Sequence, residues 1–433
     1  MKILIASDFY PPFLGGAEYQ VQLLGRELQD RGHSVTVATV WHEGLDSEEV
    51  DGGVRIQRIR GLATSMGWFS GTPKRRFHPP APEPGISMGL LRLVRRERPD
   101  VIHANGWIAY SCAAASLAAK VPLVLSVRDY GYACATRTLL EKGRRISSGP
   151  ELSKCLKCAA HRYGPAKALP AVLGVYAGRP LLARTVTGVH SVSRYVEMTV
   201  KRDVLKERAE GRDVIFETIP DIVPSDPYRA SASPAISRAW SERLPEEPFI
   251  LFVGALQAHK GLAVLLQAYA VLDKLDPTRP RPPLLLIGTR WPDTPRSVPP
   301  GVTLLEDVPH DVVMHAWRRS LLGVVPSIWP DPLPGVVREA MSQGKAVIAT
   351  AVGGNLDMVV PDVTGLLVPP ADVRTLAEAF KLLIHDPSLR ERLGEAARLS
   401  VRDLDAPAIG GRFEQFYGAA VAAASTADRM AGR

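Results

Sequence analysis

Residues 322–350 read LGVVPSIWPDPLPGVVREAMSQGKAVIAT, and the order of residue types in this stretch decides the fold. Leu322–Val325 is a short apolar run of the kind found in strands buried on both faces. A proline-rich turn carrying Asp331 follows, because proline continues neither a central strand nor a helix interior. A helix begins near Gly335, carries Glu339 and stops at Gly344. A second apolar strand, Ala346–Thr350, completes a βαβ unit, whose two strands must lie parallel in one sheet.

The same alternation extends in both directions. Strands are expected at Phe249–Val253, Leu284–Ile287 and Val302–Leu305, with helices over 261–274, 310–319 and 371–385. The first half repeats the scheme, with strands at Lys2–Ser7, Ser34–Thr39, Val54–Ile59, Val101–His103 and Leu123–Val127. A helix from about Glu18 to Arg31 sets Val21, Leu24 and Leu28 on one face and ends at Gly32. Residues 224–248 are rich in Pro, Ser and Ala, show no strand signal, and read as a linker. The expectation is an α/β chain of two doubly wound, Rossmann-like domains facing across a cleft, 1–223 and 249–404. Ligands then sit at the carboxyl ends of the strands.

Composition agrees with this class and narrows the partners. The 433 residues are 46% hydrophobic and 23% charged, which excludes a disordered or collagen-like chain. A formal charge of +8 favours anionic partners without choosing among them. Four cysteines are too few for a disulfide framework. The apolar run in MKILIASDFY is too short for a secretory leader, and no run reaches the ~18 apolar residues of a membrane span. A cytoplasmic protein is expected, with peripheral contact at the inner face of a membrane left open.

Two loops carry candidate chemistry. After the first strand, Gly15 and Gly16 precede a helix, where backbone N–H groups and the helix dipole suit a phosphate. Neither GxGxxG nor GxxxxGK[ST] is present, so nothing argues for a dinucleotide or a P-loop. In the second half, Lys260 follows the strand ending FILFV and can reach an anion over the strand end, or it is a solvated lysine at a helix start. Asp331 and Glu339 are eight residues apart, at most ~12 Å along a helix, too far for an acid/base dyad on one bond. That spacing suits two carboxylates gripping the two diols of an extended ligand, such as the hexose and ribose of a nucleotide sugar. Backbone N–H groups at Gly335 and Val336 would then face the pyrophosphate, with Lys260 opposite. Read singly, Asp331 is a helix cap and Glu339 a solvated helix charge.

With these residues in view, the sequence resembles the retaining, nucleotide-sugar-dependent glycosyltransferases of the glycogen-synthase-like, or group-1, superfamily, which have the GT-B fold. The matching segments are GGAEYQVQLLGRELQDRGHSVTV, DVIHAN, FVGALQAHKG, PSIWPDPLPGVVREAMSQGKAVIATAVGG and VTGLLVPP. The resemblance implies that Asp331 contacts the donor sugar, Glu339 the ribose and Lys260 the pyrophosphate. It further implies that Gly16 lies near the phosphates and that His103 faces sugar and acceptor. It implies an acceptor-side first domain, a donor-binding second domain and a terminal helix, about 405–425, crossing back onto the first. The donor would be a nucleoside-diphosphate sugar, the acceptor a glycan, lipid-linked or small-molecule hydroxyl. No tightly bound cofactor or metal is implied, and no DxD motif occurs in the first domain.

Three positions depart from the pattern. Asp331 stands where the family usually has Glu, Ala255 where it usually has Arg, and Asp357 where Glu is common in the GGxxE segment. Arg290 and Arg128 are candidates to replace the missing cation. The first two departures also admit a weak or degenerate relative that binds nucleotide or glycan as a partner subunit.

Two weaker signals remain. Cys134, Cys155, Cys158 and His161 are residue types that suit zinc, or they are ordinary thiols. Basic residues gather at Lys74, Arg75 and Arg76 and again at Arg92, Arg95, Arg96 and Arg98. They suit docking to an anionic membrane, or a solvated basic face. No nucleic-acid motif accompanies them, so nucleic acid is not expected as a partner.

Overall fold

The computed structural model describes residues 1–13, 15–62, 77–143, 145–205, 214–224, 234–277 and 280–431. Lys74, Arg75 and Arg76 lie outside these residues, as do 225–233 of the expected linker. The chain divides into two compact units, Met1–Ile222 with Ala406–Arg433, and Val223–Asp405.

The first unit is built on β1 (Lys2–Ser7), β2 (Ser34–Val40), β3 (Glu48–Asp51), β4 (Val54–Ile59), β5 (Val101–Asn105) and β6 (Leu123–Val127). A short hairpin, β7 (Leu140–Glu141) with β8 (Arg145–Ile146), precedes β9 (Val186–Ser191) and β10 (Ile215–Thr218). The main sheet has the order β10-β9-β6-β5-β1-β2-β4-β3 and is parallel except where β3 meets β4. Strand order reverses between β1 and β5, so their carboxyl ends open the crevice such folds use for ligands. The terminal helix, Ala406–Ala431, packs on this sheet. Its Glu414 accepts a 2.7 Å hydrogen bond from Arg31 and lies 3.1 Å from His33 Nε2, while Phe413, Phe416 and Tyr417 are buried.

The second unit is a six-stranded parallel sheet of β11 (Ile250–Val253), β12 (Leu284–Ile287), β13 (Val302–Leu305), β14 (Leu322–Val325), β15 (Val347–Thr350) and β16 (Leu366–Val368). Its order is β13-β12-β11-β14-β15-β16. Alternation along the chain explains why these strands are apolar throughout. Ile250 and Phe252 enter a core with Tyr269 and Phe380, whereas Phe249 and Leu251 enter the opposite core with Met314 and Trp317. The order reverses between β11 and β14, so the loops after those two strands meet at the switch point.

The helix Pro165–Thr185 leaves little periodic signal in the sequence, because apolar residues lie on more than one of its faces and it contains Pro170 and Pro180. Among the described residues, no helix is long and apolar enough to cross a membrane.

Candidate functional site

The loops after β11 and β14 are locked to each other by backbone contact. After β11 the chain makes a 3-10 turn, Ala258–Lys260, and passes through Gly261 at φ +82° into the helix Leu262–Leu275. A Cβ at Gly261 would overlap the carbonyl of Pro326, the first residue after β14, so glycine is required there by both dihedral and space. Lys260 is thereby carried to the turn of Asp331. Its ammonium forms an ion pair with the Asp331 carboxylate and lies 5.3 Å from the centre of the Trp329 ring. The Asp331 side chain is 8% exposed and that of Lys260 25%, so the carboxylate is the more deeply held partner. Behind the turn, Gly354 N donates a 2.7 Å hydrogen bond to the Asp331 carbonyl.

The helix Gly335–Ser342 starts directly after this turn. Pro334 is its N-cap and no side chain caps it, so the first-turn N–H groups of Gly335 and Val336 are not taken by a capping side chain. Just over one turn on, Glu339 is oriented rather than loosely solvated. Its Oε2 accepts a 3.2 Å hydrogen bond from the indole N–H of the fully buried Trp317, and its Oε1 lies 3.2 Å from His310 Nε2. Neither Trp317 nor His310 stood out in the sequence, because both lie on the helix His310–Arg319 outside any motif.

The two candidate replacements for the absent arginine at Ala255 are both engaged. Arg290 donates 3.1 Å to Glu306 and 2.8 Å to the Pro295 carbonyl. Arg128, in the first unit, is ion-paired with Asp221, each side chain 12% exposed. Asp357 lies on the short helix Asn355–Met358, next to Asn355, whose amide donates 2.9 Å to the Thr350 carbonyl.

In the first unit Gly15 is the N-cap of the helix Gly16–Asp30, again with no side-chain cap, and a Cβ on Gly16 would meet nothing within 4 Å. His103 lies on β5, buried beneath the terminal helix. It is 1% exposed, its Nδ1 lies 2.6 Å from the Tyr417 hydroxyl, and its ring stacks on Phe413 of the terminal helix. Burial holds its pKa well below the usual imidazole range, helped by His190 and Arg128. The His103 Nε2 is buried and has no hydrogen-bond partner among the described residues.

Asp8, at the end of β1, was missed. It is buried and accepts hydrogen bonds from Trp107 N at 3.0 Å and Ile108 N at 2.7 Å, holding the start of the helix Ile108–Ala119 against β1. Burial raises its pKa to about 6, against the pull of Arg137. An acid directly after an apolar strand was the available signal. Asn105, at the end of β5, is 5% exposed with both amide atoms lacking a hydrogen-bond partner.

The zinc reading is corrected. Cys134, Cys155 and Cys158 do line one small pocket, but His161 is exposed away from it. Cys158 Sγ accepts from Lys142 N and donates to the Leu140 carbonyl, and burial pushes its thiol pKa up. Among the described residues, no group of three or more His, Cys, Asp or Glu could hold a metal ion.

Comparison with known proteins follows the division into two units. Residues 15–210 match the family "Glycosyl transferase 4-like domain" and residues 236–400 match "Glycosyl transferases group 1". Alpha-D-kanosaminyltransferase of Streptomyces kanamyceticus is 28% identical over 204 residues, 45% of this chain, and the match spans 52% of that protein. Glycogen synthase of Mycobacterium tuberculosis is 26% identical over 422 residues, covering 92% of this chain and 89% of that one. The structure of sucrose-phosphate synthase from Thermosynechococcus elongatus is similar with a TM-score of 0.68 at 22% identity, over 98% of this chain and 100% of that one.

Proposed function

Because the chain belongs to the group-1, glycogen-synthase-like glycosyltransferases, nucleotide-sugar-dependent proteins of GT-B fold, we propose that it transfers a sugar from a nucleoside-diphosphate sugar to an acceptor hydroxyl with retention. The observation that carries this reading is the meeting of Lys260, Asp331 and an uncapped helix bearing Glu339 at the switch point of the second unit. A cation, a run of unclaimed N–H groups and two carboxylates there match a ligand with a diphosphate between two polyols.

In this reading Glu339, pre-oriented by Trp317, accepts from the ribose hydroxyls, and Asp331 accepts from the sugar. Lys260 and the N–H groups of Gly335 and Val336 hold the diphosphate. The first unit binds the acceptor, a glycan, lipid-linked or small-molecule hydroxyl. The C1–oxygen bond to the diphosphate breaks with its electron pair going to phosphate, the acceptor oxygen bonds C1 on the same face, and the acceptor proton leaves with the diphosphate. The protein contributes orientation and stabilisation of charge on the leaving group. In the free state Lys260 is already balanced by Asp331, so the diphosphate is a second anion for that ammonium.

Incubation with UDP-, GDP- and ADP-sugars in turn, measuring nucleoside diphosphate release, tests the proposal. Release from at least one donor supports it. Failure with every donor, alongside a thermal shift on nucleotide binding, supports a second reading, a nucleotide-binding partner subunit with little turnover. Ala255, with Arg128 and Arg290 both held by carboxylates, is the observation that favours this second reading.

A further inference from the structure

The helix Pro165–Thr185 is apolar on the face it buries and on the face it exposes. Inward lie Ala168, Val172, Val175 and Leu182. Outward lie Ala166, Leu169, Leu173, Ala177 and Pro180, recurring every three or four residues as one stripe, with Leu169 52% and Leu173 46% exposed. Such spacing keeps a stripe on one helix face. It runs roughly 20 Å along the helix axis at 1.5 Å per residue. A helix apolar all round is ordinarily covered on every side. Among the described residues, nothing buries this face.

Charge decides what does. The helix packs against its neighbour Leu152–Tyr163, and residues 152–185 contain six Lys or Arg and no Asp or Glu. Lys157, Arg162 and Arg184 are exposed, as are the apolar Leu152 and Tyr163. A second copy of the chain would set these cations against their own kind, which disfavours self-association. An apolar stripe among cations suits a bilayer with anionic headgroups, where leucines enter the acyl boundary and lysines and arginines meet phosphate.

We propose that the helix pair Leu152–Tyr163 and Pro165–Thr185 is a docking surface for an anionic membrane, on which it lies without crossing. This surface is distinct from the docking expected at Lys74, Arg75 and Arg76, which lie outside the described residues, and at Arg92, Arg95, Arg96 and Arg98, where Arg96 is occupied by Glu97 and Glu48. It deepens the lipid-linked form of the acceptor reading, yet it rests on surface chemistry alone, so vesicle binding and sugar transfer fail or succeed separately.

The test is co-sedimentation of the full chain with vesicles of phosphatidylglycerol and phosphatidylcholine, against phosphatidylcholine alone, at low and high salt. Two double variants, Leu169→Ser/Leu173→Ser and Lys157→Glu/Arg162→Glu, are compared with Arg92→Glu/Arg95→Glu. All six side chains are exposed, and thermal melts check that folding is kept. Binding to the anionic vesicles, weakened about tenfold or more by either of the first pair and unchanged by the third, is expected. Absence of binding to anionic vesicles overturns the proposal. So does binding lost with Arg92 and Arg95 but kept without the leucines, or a dimer in solution that the leucine variant abolishes. Nucleoside diphosphate release without vesicles should be the same in all three variants.

Discussion

Removal of the Lys260 ammonium should separate its contribution to stability from its contribution to turnover. In Lys260→Ala the Asp331 carboxylate loses its cation while remaining mostly buried. Breaking a fully buried pair costs about 3–5 kcal/mol, and breaking an exposed one costs about 0.2–1 kcal/mol. Lys260 is one quarter exposed, so about 2 kcal/mol is expected. For a unit of this size that corresponds to a fall of about 4–8 °C in Tm. Adding Asp331→Asn removes the stranded charge, and the double variant should recover most of that loss. Turnover behaves differently. Loss of a cation that stabilises the leaving diphosphate costs two orders of magnitude or more in kcat/KM, and the second substitution cannot return it. Melting of the four proteins in the cycle and donor-dependent nucleoside diphosphate release provide both readouts. A double variant as unstable as Lys260→Ala would show that the ion pair is not what Lys260 contributes to the fold. Near-wild-type transfer by Lys260→Ala would refute its role at the phosphates.

Glu339→Gln keeps the shape but replaces charge-assisted hydrogen bonds to the ribose by neutral ones, so nucleoside diphosphate affinity measured by calorimetry should fall about tenfold. Unchanged affinity would remove the ribose assignment. Ala255→Arg restores a second cation beside Lys260 and should raise kcat by about tenfold or more if leaving-group charge limits the wild type. No gain would place the limit elsewhere. Asp8 predicts a pH effect on stability. Its pKa is raised in the folded state from 3.8 to about 6, so between these values the folded form holds a proton that the unfolded chain has released. Stability therefore falls as pH rises from about 4 to about 6, by about 3 kcal/mol, and stays lowered above that. Asp8→Asn should flatten this part of the profile in urea titrations, and an unaltered slope would show that another group carries it.

The strands of the second unit were legible residue by residue because a parallel sheet covered on both faces demands unbroken apolar runs, and FILFV, LLLI and LGVV supply them. Lys260, Asp331, Gly335 and Glu339 could likewise be singled out, since turn chemistry and helix spacing are local properties of the chain. Their partners could not. The pairing of Lys260 with Asp331 spans 71 residues, that of Glu339 with Trp317 spans 22, and that of His103 with Tyr417 spans 314. The last of these ties the motif histidine to the terminal helix, because which face of β5 meets that helix is a matter of register and not of motif. Cys134, Cys155 and Cys158 share one pocket, yet among the described residues no group of three or more such ligands could hold a metal ion. The outward stripe of the helix Pro165–Thr185 was not legible in the sequence, because only burial divides its apolar residues into two faces. The sequence by itself determined the two α/β units and the chemistry of the loops, which depend on composition and spacing. Only the tertiary structure decided which charges meet, which polar groups are sealed from water and which apolar surface is left bare, because these follow from how distant segments pack.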